Sequence, residues 1–82
     1  MYVDEWVIME ILDLKNLQCP MPILKTKQAL QKMNDGDEIQ VVTTDPHSEI
    51  DFKVFLSKTS NELLNFWIED GKYFFLIKKN SV

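Results

Sequence analysis

The chain has 82 residues, and this size predicts a single domain over residues 1–82 with its core in about residues 6–79. Nine lysines, no arginine and 13 acidic residues give a formal net charge of −4, which argues against non-specific nucleic-acid binding. One cysteine cannot form an internal disulfide, and one cysteine with one histidine predicts no metal site. No apolar run approaches the roughly 20 residues of a membrane span, and the acidic N-terminus lacks the basic region of a signal peptide, so we expect a cytoplasmic protein outside the membrane.

The first half of the chain predicts a strand, a helix and a second strand. Residues 6–14 are rich in Val, Ile, Leu and Met, and their apolar residues fall at both odd and even positions, which predicts burial on both faces for part of the strand. Lys15 and Asn16 predict a turn, because Asn tolerates left-handed backbone. Residues 21–33 predict a helix whose apolar stripe consists of Ile23, Thr26, Ala29, Leu30 and Met33. Gly36 would end this helix in a left-handed conformation before a strand over residues 38–44, and the two strands of such a unit should be parallel.

The second half predicts a helix and a hairpin. Asp45 is the predicted N-cap and Pro46 lies in the first turn of a helix that would end near residue 60. Its apolar stripe would contain Phe52, Phe55, Leu56, Thr59 and Leu63. Ile50 and Val54 fall off this stripe, so they are either scattered exposed residues or part of a contact surface. Strands over residues 63–69 and 72–78 flank Asp70-Gly71, a strong hairpin signal. We therefore expect an α/β (α+β) two-layer sandwich, β-α-β-α-β-β, with both helices on one face of a mixed four-stranded sheet and apolar residues exposed on the other face.

The only cysteine lies where the first helix is predicted to begin. Cys19 directly precedes Pro20, and Pro22 follows two residues later. Because proline fits the first helical turn, both prolines predict a helix start, where free N–H groups and the positive end of the helix dipole stabilise an anion. Such a place lowers the pKa of a thiol and favours the reactive thiolate. The sequence thus predicts a reactive thiol, with a buried structural cysteine as the alternative.

Six short motifs bear on the family of the chain, and together they span about residues 11–79. In order, they are Leu12-Asp13, Leu17-x-Cys19-Pro20-x-Pro22, Met33-x-x-Gly36, Asp45-Pro46, Asp51 ahead of Phe52 and Phe55, and Tyr73-x-Phe75-Leu76-Ile77-x-Lys79. In this order and spacing the chain resembles the TusA/SirA-like sulfur-carrier family. The resemblance implies a two-layer α/β fold with sheet order 1-2-4-3 and strand four antiparallel to the rest.

The resemblance also implies a function and its partners. Cys19 would accept sulfur as a persulfide from a cysteine desulfurase or another sulfur donor, and would pass it to an acceptor protein. The pathways that use such carriers include tRNA thiolation, molybdenum-cofactor sulfuration and other sulfur metabolism. The protein would be a sulfurtransferase-type carrier rather than a self-contained enzyme, with no cofactor and no direct nucleic-acid partner. The predicted supporting residues around Cys19 are Gln18, Pro20, Pro22, Lys25, Lys27, Asp45 and Pro46.

Several of these residues have a second interpretation. Gln18 stands where the family often has arginine, and Lys27 stands for the family's basic residue in the first helix. The loss of the arginine removes a bidentate hydrogen-bond donor that a lysine cannot replace. Lys25 and Lys27 either stabilise the thiolate or form a solvated helix face. Asp45 and Pro46 can equally be structural, as the N-cap and the first-turn proline of the second helix. His47 is expected to be a surface histidine unrelated to Cys19.

Two other functions are open to the sequence. In a protein-interaction or regulatory module, the Cys-Pro-x-Pro turn would be only a helix cap. A thiol–disulfide oxidoreductase is disfavoured, because no second cysteine is present to resolve a mixed disulfide.

Overall fold

A computed structural model describes residues 10–18 and 20–80. The secondary structure elements along the chain are β1 (Glu10–Leu14), α1 (Met21–Gln31), β2 (Glu38–Thr43), α2 (Ser48–Ser57), β3 (Glu62–Glu69) and β4 (Lys72–Lys78). This order confirms the predicted β-α-β-α-β-β arrangement. The predicted part of the first strand over residues 6–9 lies outside the described residues, and so does Cys19.

The four strands form one mixed sheet in the order β1-β2-β4-β3. β1 and β2 are parallel, with Leu12 opposite Val41, and β4 runs antiparallel to both of its neighbours. Phe75 of β4 lies opposite Val41 on one side and Phe66 on the other. The observed order and strand directions confirm those that the family resemblance implied.

Both helices cover the same face of this sheet. Alternate residues of the two central strands point to that face, since side chains along a strand alternate between its two sides. Phe52 of α2 stacks on Phe75 of β4 with ring centroids 4.3 Å apart. The buried core cluster comprises Leu14, Leu30, Ile39, Val41, Phe52, Leu56, Phe75 and Ile77. One core between a helical layer and a sheet is therefore the main source of stability.

The opposite face of the sheet is partly apolar, and one side of β1 contributes to it. Ile11 is 68% exposed and Asp13 is also exposed, whereas Leu12 and Leu14 pack on the helical side. The described part of β1 is therefore buried on one face only, because the helices cover one face only, and residues 6–9 of the predicted strand lie outside the described residues. On that opposite face, Trp67 and Phe74 are partly exposed and stack with centroids 5.1 Å apart.

The helices are shorter than predicted. α1 ends at Gln31, and the N–H of Met33 donates to the carbonyl of Leu30, a tighter closing turn than that of an α-helix. Even so, Met33 packs against the core as the predicted stripe required. α2 ends at Ser57, so the predicted extension to residue 60 is wrong, and Leu63 belongs to β3.

The start of α2 also differs from the prediction. Asp45 accepts the N–H of His47 through Oδ1 at 3.0 Å, and its carbonyl accepts the N–H of Ser48 at 2.9 Å. These bonds close a turn around Pro46 before the helix begins at Ser48, with His47 in the N-cap position. Asp45 is therefore not the N-cap, and Pro46 precedes the first helical turn rather than lying in it. An Asp side chain that bonds to the backbone two residues on forms such turns readily.

Three turns adopt the backbone that their residues predict. Asn16 has φ of 70° after β1, and Gly36 has φ of 92° after α1. Asp70 and Gly71 both have positive φ, at 54° and 73°, which is the conformation of the tight hairpin turn between β3 and β4.

Candidate functional site

The candidate site lies at the edge of the sheet where β1 and β2 end. Because these strands are parallel, the segments that leave their carboxyl ends, residues 15–18 and 44–47, start on the same edge. The N–H of Asn16 donates to the hydroxyl Oγ1 of Thr44 at 2.9 Å, across 28 residues of sequence. This bond joins the connection before α1 to the connection before α2.

Backbone hydrogen bonds hold the residues on either side of Cys19 in the chain. The carbonyl of Gln18 accepts the N–H of Met21 at 2.8 Å, and the carbonyl of Pro20 accepts the N–H of Leu24 at 3.1 Å. α1 begins at Met21 with Pro20 in the N-cap position and Pro22, which is buried, as its second residue. The structure thereby confirms the predicted helix start two residues after Cys19.

Three of the predicted site residues come together at this edge. Gln18, Asp45 and Pro46 line two shallow hollows, one shared with Asn16, Leu17 and Thr44, and the other with His47. Gln18 is exposed, whereas the side chain of Asp45 is only 11% exposed. The residue before Cys19 in the chain therefore shares a surface with the Asp-Pro turn.

His47 is a member of this site that the sequence reasoning missed. Its side chain is 81% exposed, as expected of a surface histidine, but it lines a hollow with Gln18. The Nδ1 atom of its ring lies 3.3 Å from Oδ1 of Asp45, the oxygen that also accepts the backbone N–H of His47. The signal that could have found it is the parallel pairing of β1 and β2, which brings both connections to one edge.

The two predicted lysines lie apart from these hollows. Lys25 and Lys27 are both exposed on α1, and Lys25 lines a separate hollow beside β1 with Leu12 and Gln28. Neither lysine lines a hollow that contains Gln18 or Asp45. In the described part of the chain their surroundings are those of a solvated helix face.

A groove between the two helices opens at the same end of α1. Its lining residues are Pro20, Ile23, Asp51, Val54, Phe55 and Lys58, and we call it the helix groove. Ile23 and Phe55 form its floor, because both are partly buried and pack against the core. Of these lining residues, the sequence had indicated only Val54, together with Ile50 one turn earlier, as part of a possible contact surface.

Two further observations concern the described residues as a whole. Within residues 10–18 and 20–80, no group of three His, Cys, Asp or Glu side chains is placed to hold a metal ion. Neither α1 nor α2 is long and apolar enough to cross a membrane.

This fold and site define a small two-layer α/β domain whose only thiol precedes a proline-started helix. The family model described as "Sulfurtransferase TusA" matches residues 10–79. The chain is 46% identical over 69 residues to the sulfur carrier protein TusA of Allochromatium vinosum. This match covers 84% of the chain and 91% of that protein. Putative sulfur carrier proteins of Neisseria meningitidis serogroup A (38% identical; 84% and 93% covered) and Archaeoglobus fulgidus (32%; 85% and 92%) are also similar. The chain therefore belongs to the TusA family.

Proposed function

We propose that this protein is a sulfur-relay carrier that holds sulfur as a persulfide on Cys19. The observation that carries the proposal is the position of the only cysteine, in Cys19-Pro20-x-Pro22 immediately before α1, in a chain that is 46% identical to a sulfur carrier over most of its length. The donor is a cysteine desulfurase or another sulfur-donor protein, and the acceptor is a second protein. Candidate pathways are tRNA thiolation, molybdenum-cofactor sulfuration and other sulfur metabolism.

The loading step is a thiol–disulfide exchange at sulfur. The Cys19 thiolate attacks the outer sulfur of the donor's persulfide, a new S–S bond forms, and the donor's S–S bond breaks. The donor cysteine leaves as a thiolate, so no electrons are gained or lost overall. The N-terminus of α1 favours this step, because the positive end of the helix dipole lowers the pKa of a thiol placed there.

Release needs a partner, since the chain has no second cysteine to form a disulfide with Cys19. The acceptor's nucleophile attacks the outer sulfur, and Cys19 leaves as a thiolate ready for another cycle. In this scheme Pro20 and Pro22 fix the direction of the loop, Gln18 and the Asp45-Pro46 turn form the surface beside it, and Lys25 and Lys27 add positive charge along α1.

The test is to incubate the protein with a cysteine desulfurase and cysteine, and then to weigh the intact chain. We expect a gain of one sulfur mass that dithiothreitol removes and that the Cys19→Ser variant lacks. The result against the proposal is no gain from desulfurase, rhodanese-type donor or polysulfide, together with alkylation of Cys19 no faster than that of free cysteine. The protein would then be an interaction module in which the proline turn is only a helix cap.

A further inference from the structure

We propose that His47 is the proton acceptor for the thiol of Cys19, through an imidazole whose other nitrogen faces Asp45. This inference rests on the proposed function, because a carrier has to present its cysteine as a thiolate to the sulfur that it accepts. It goes further in assigning a second reactive side chain to the loading step, which the proposed function assigns to Cys19 and the start of α1 alone.

The hollow that contains His47 begins at the residue before the cysteine. Its lining residues are Gln18, Asp45, Pro46 and His47. Gln18 is bonded directly to Cys19, and consecutive Cα atoms of a trans peptide are about 3.8 Å apart. The hydrogen bond from Asn16 to Thr44 joins the two connections at this edge, so the proximity of Gln18 to His47 is part of the fold.

The imidazole of His47 is arranged to accept a proton on its outer nitrogen. In a neutral imidazole one nitrogen carries the proton and the other is an acceptor. Nδ1 lies 3.3 Å from Oδ1 of Asp45, and a carboxylate beside Nδ1 favours the proton on that nitrogen. Nε2 is then the acceptor. Because the side chain of His47 is 81% exposed, the ring is accessible to a thiol at this edge.

The ring has no capping role in α2. His47 occupies the N-cap position, yet its side chain makes no capping hydrogen bond, and Ser, Thr, Asp and Asn are the residues preferred there. The turn before the helix is closed instead by the side chain and the carbonyl of Asp45. Replacement of the ring should therefore leave the fold intact, and its effect on Cys19 can be measured separately.

The charges at this edge favour the histidine over the lysines as the partner of a thiolate. The hollow contains the carboxylate of Asp45, and the whole chain carries −4, so a thiolate there needs a compensating positive charge. The lysines nearest to Cys19 in the sequence line neither hollow that contains Gln18, and they are Lys15, Lys25 and Lys27. Once it has accepted a proton, His47 supplies that charge.

The acidic residues in the first turn of α2 do not line these hollows either. Glu49 is paired with Lys53 at 2.9 Å, and Asp51 lines the helix groove. In the described part of the chain, His47 is therefore the side chain sharing a hollow with Gln18 that exchanges a proton near neutral pH.

The step balances in protons and electrons. The Cys19 thiol gives its proton to Nε2 of His47, and the thiolate attacks the outer sulfur of the donor's persulfide. A new S–S bond forms and the donor's S–S bond breaks, with no net oxidation or reduction. The donor leaves as a thiolate that takes the proton from the imidazolium, so His47 returns to its neutral form.

The experiment compares wild type with two variants that each replace a basic side chain by glutamine. His47→Gln removes the imidazole and keeps a polar side chain. Lys32→Gln is the control, because it removes a positive charge from the C-cap of α1, roughly 16 Å from the start of that helix. Matching circular dichroism spectra establish that both variants are folded.

Alkylation by iodoacetamide is followed from about pH 5 to about pH 10, and Cys19 is the only thiol in the chain that can react. We expect the half-rate point of wild type to lie below the value of about 8.5 for free cysteine. The half-rate point of His47→Gln should lie about one pH unit above that of wild type, which corresponds to about tenfold slower alkylation at neutral pH. Loading by inorganic polysulfide at neutral pH, followed by intact mass, should slow by a similar factor.

Two further results separate proton transfer from a structural effect. At about pH 10 the thiols of all three proteins are ionised, so their alkylation rates should be equal. Lys32→Gln should match wild type at every pH.

Three outcomes would overturn the inference: a pH profile of His47→Gln equal to that of wild type, a loss of rate in His47→Gln that is the same at every pH, or an equal shift in Lys32→Gln. Failure of the proposed function is distinguishable, because wild type would then gain no sulfur from desulfurase or polysulfide. The alkylation profiles need no sulfur donor, so they would still decide the role of His47.

Discussion

The substitution Thr26→Val should stabilise the protein. Thr26 lies on α1 with its side chain fully buried, and its hydroxyl Oγ1 has no hydrogen-bond partner among the described residues. A hydroxyl buried without a partner costs about 1–3 kcal/mol by mutational data. Valine has nearly the same shape and a helix propensity close to that of threonine, so the change removes the cost without opening a cavity. We expect the free energy of unfolding to rise by about 1–2 kcal/mol.

Urea unfolding followed by far-UV circular dichroism measures this change. The slope of the free energy of unfolding against urea concentration should not change, which shows that the unfolded state is the same. In a thermal scan, the midpoint should rise by about 4–8 °C for each kcal/mol in a domain of this size. Thr26→Ser is the control, because it keeps the hydroxyl and removes the methyl group, and it should be less stable than wild type. Loading of Cys19 by polysulfide should not change. A Thr26→Val protein no more stable than wild type would refute the reasoning, since the hydroxyl would then have a partner.

Three other substitutions test the fold and the helix start, each by urea unfolding. Phe52→Ala removes a ring stacked on Phe75 and should cost about 3–5 kcal/mol; a loss under about 1 kcal/mol would contradict its place in the core. Gly71→Ala, at φ of 73°, should cost about 1 kcal/mol, and a gain in stability would contradict the left-handed turn. Pro22→Ala should lower the free energy of unfolding by only about 1 kcal/mol, yet it should clearly slow the loading of Cys19 by a cysteine desulfurase, followed by intact mass. A normal loading rate together with a loss of several kcal/mol in stability would contradict the proposed role of Pro22.

The sequence was sufficient for the order of elements because that order is determined by local chemistry. The Asp70-Gly71 hairpin signal predicts β4, the 3.6-residue stripe predicts α1, and Asn16, Gly36 and Gly71 adopt the left-handed backbone that such residues tolerate. The start of α2 could not be predicted in the same way. Asp45 can cap a helix or close a turn two residues on, and both use the same carboxylate oxygen.

Predictions that depend on distant packing were weaker. The apolar residues of β1 at both odd and even positions could not show which face the helices leave open, and Ile11 proved exposed. The association of Gln18 with His47 follows from the parallel pairing of β1 and β2, so it was within reach of the sequence. The helix groove could not be predicted from the sequence, because it depends on the angle and spacing between two helices that are separate in the chain.

The central claim is that Cys19 carries a sulfur atom that another molecule can remove, and cyanide tests it most directly. Cyanide attacks the outer sulfur of a persulfide, forms thiocyanate and leaves the cysteine thiolate. Protein loaded by a cysteine desulfurase and freed of small molecules should release one thiocyanate per chain, and the Cys19→Ser variant treated in parallel should release none. No thiocyanate from wild type, or equal amounts from wild type and Cys19→Ser, would contradict the assignment of Cys19 as the sulfur carrier.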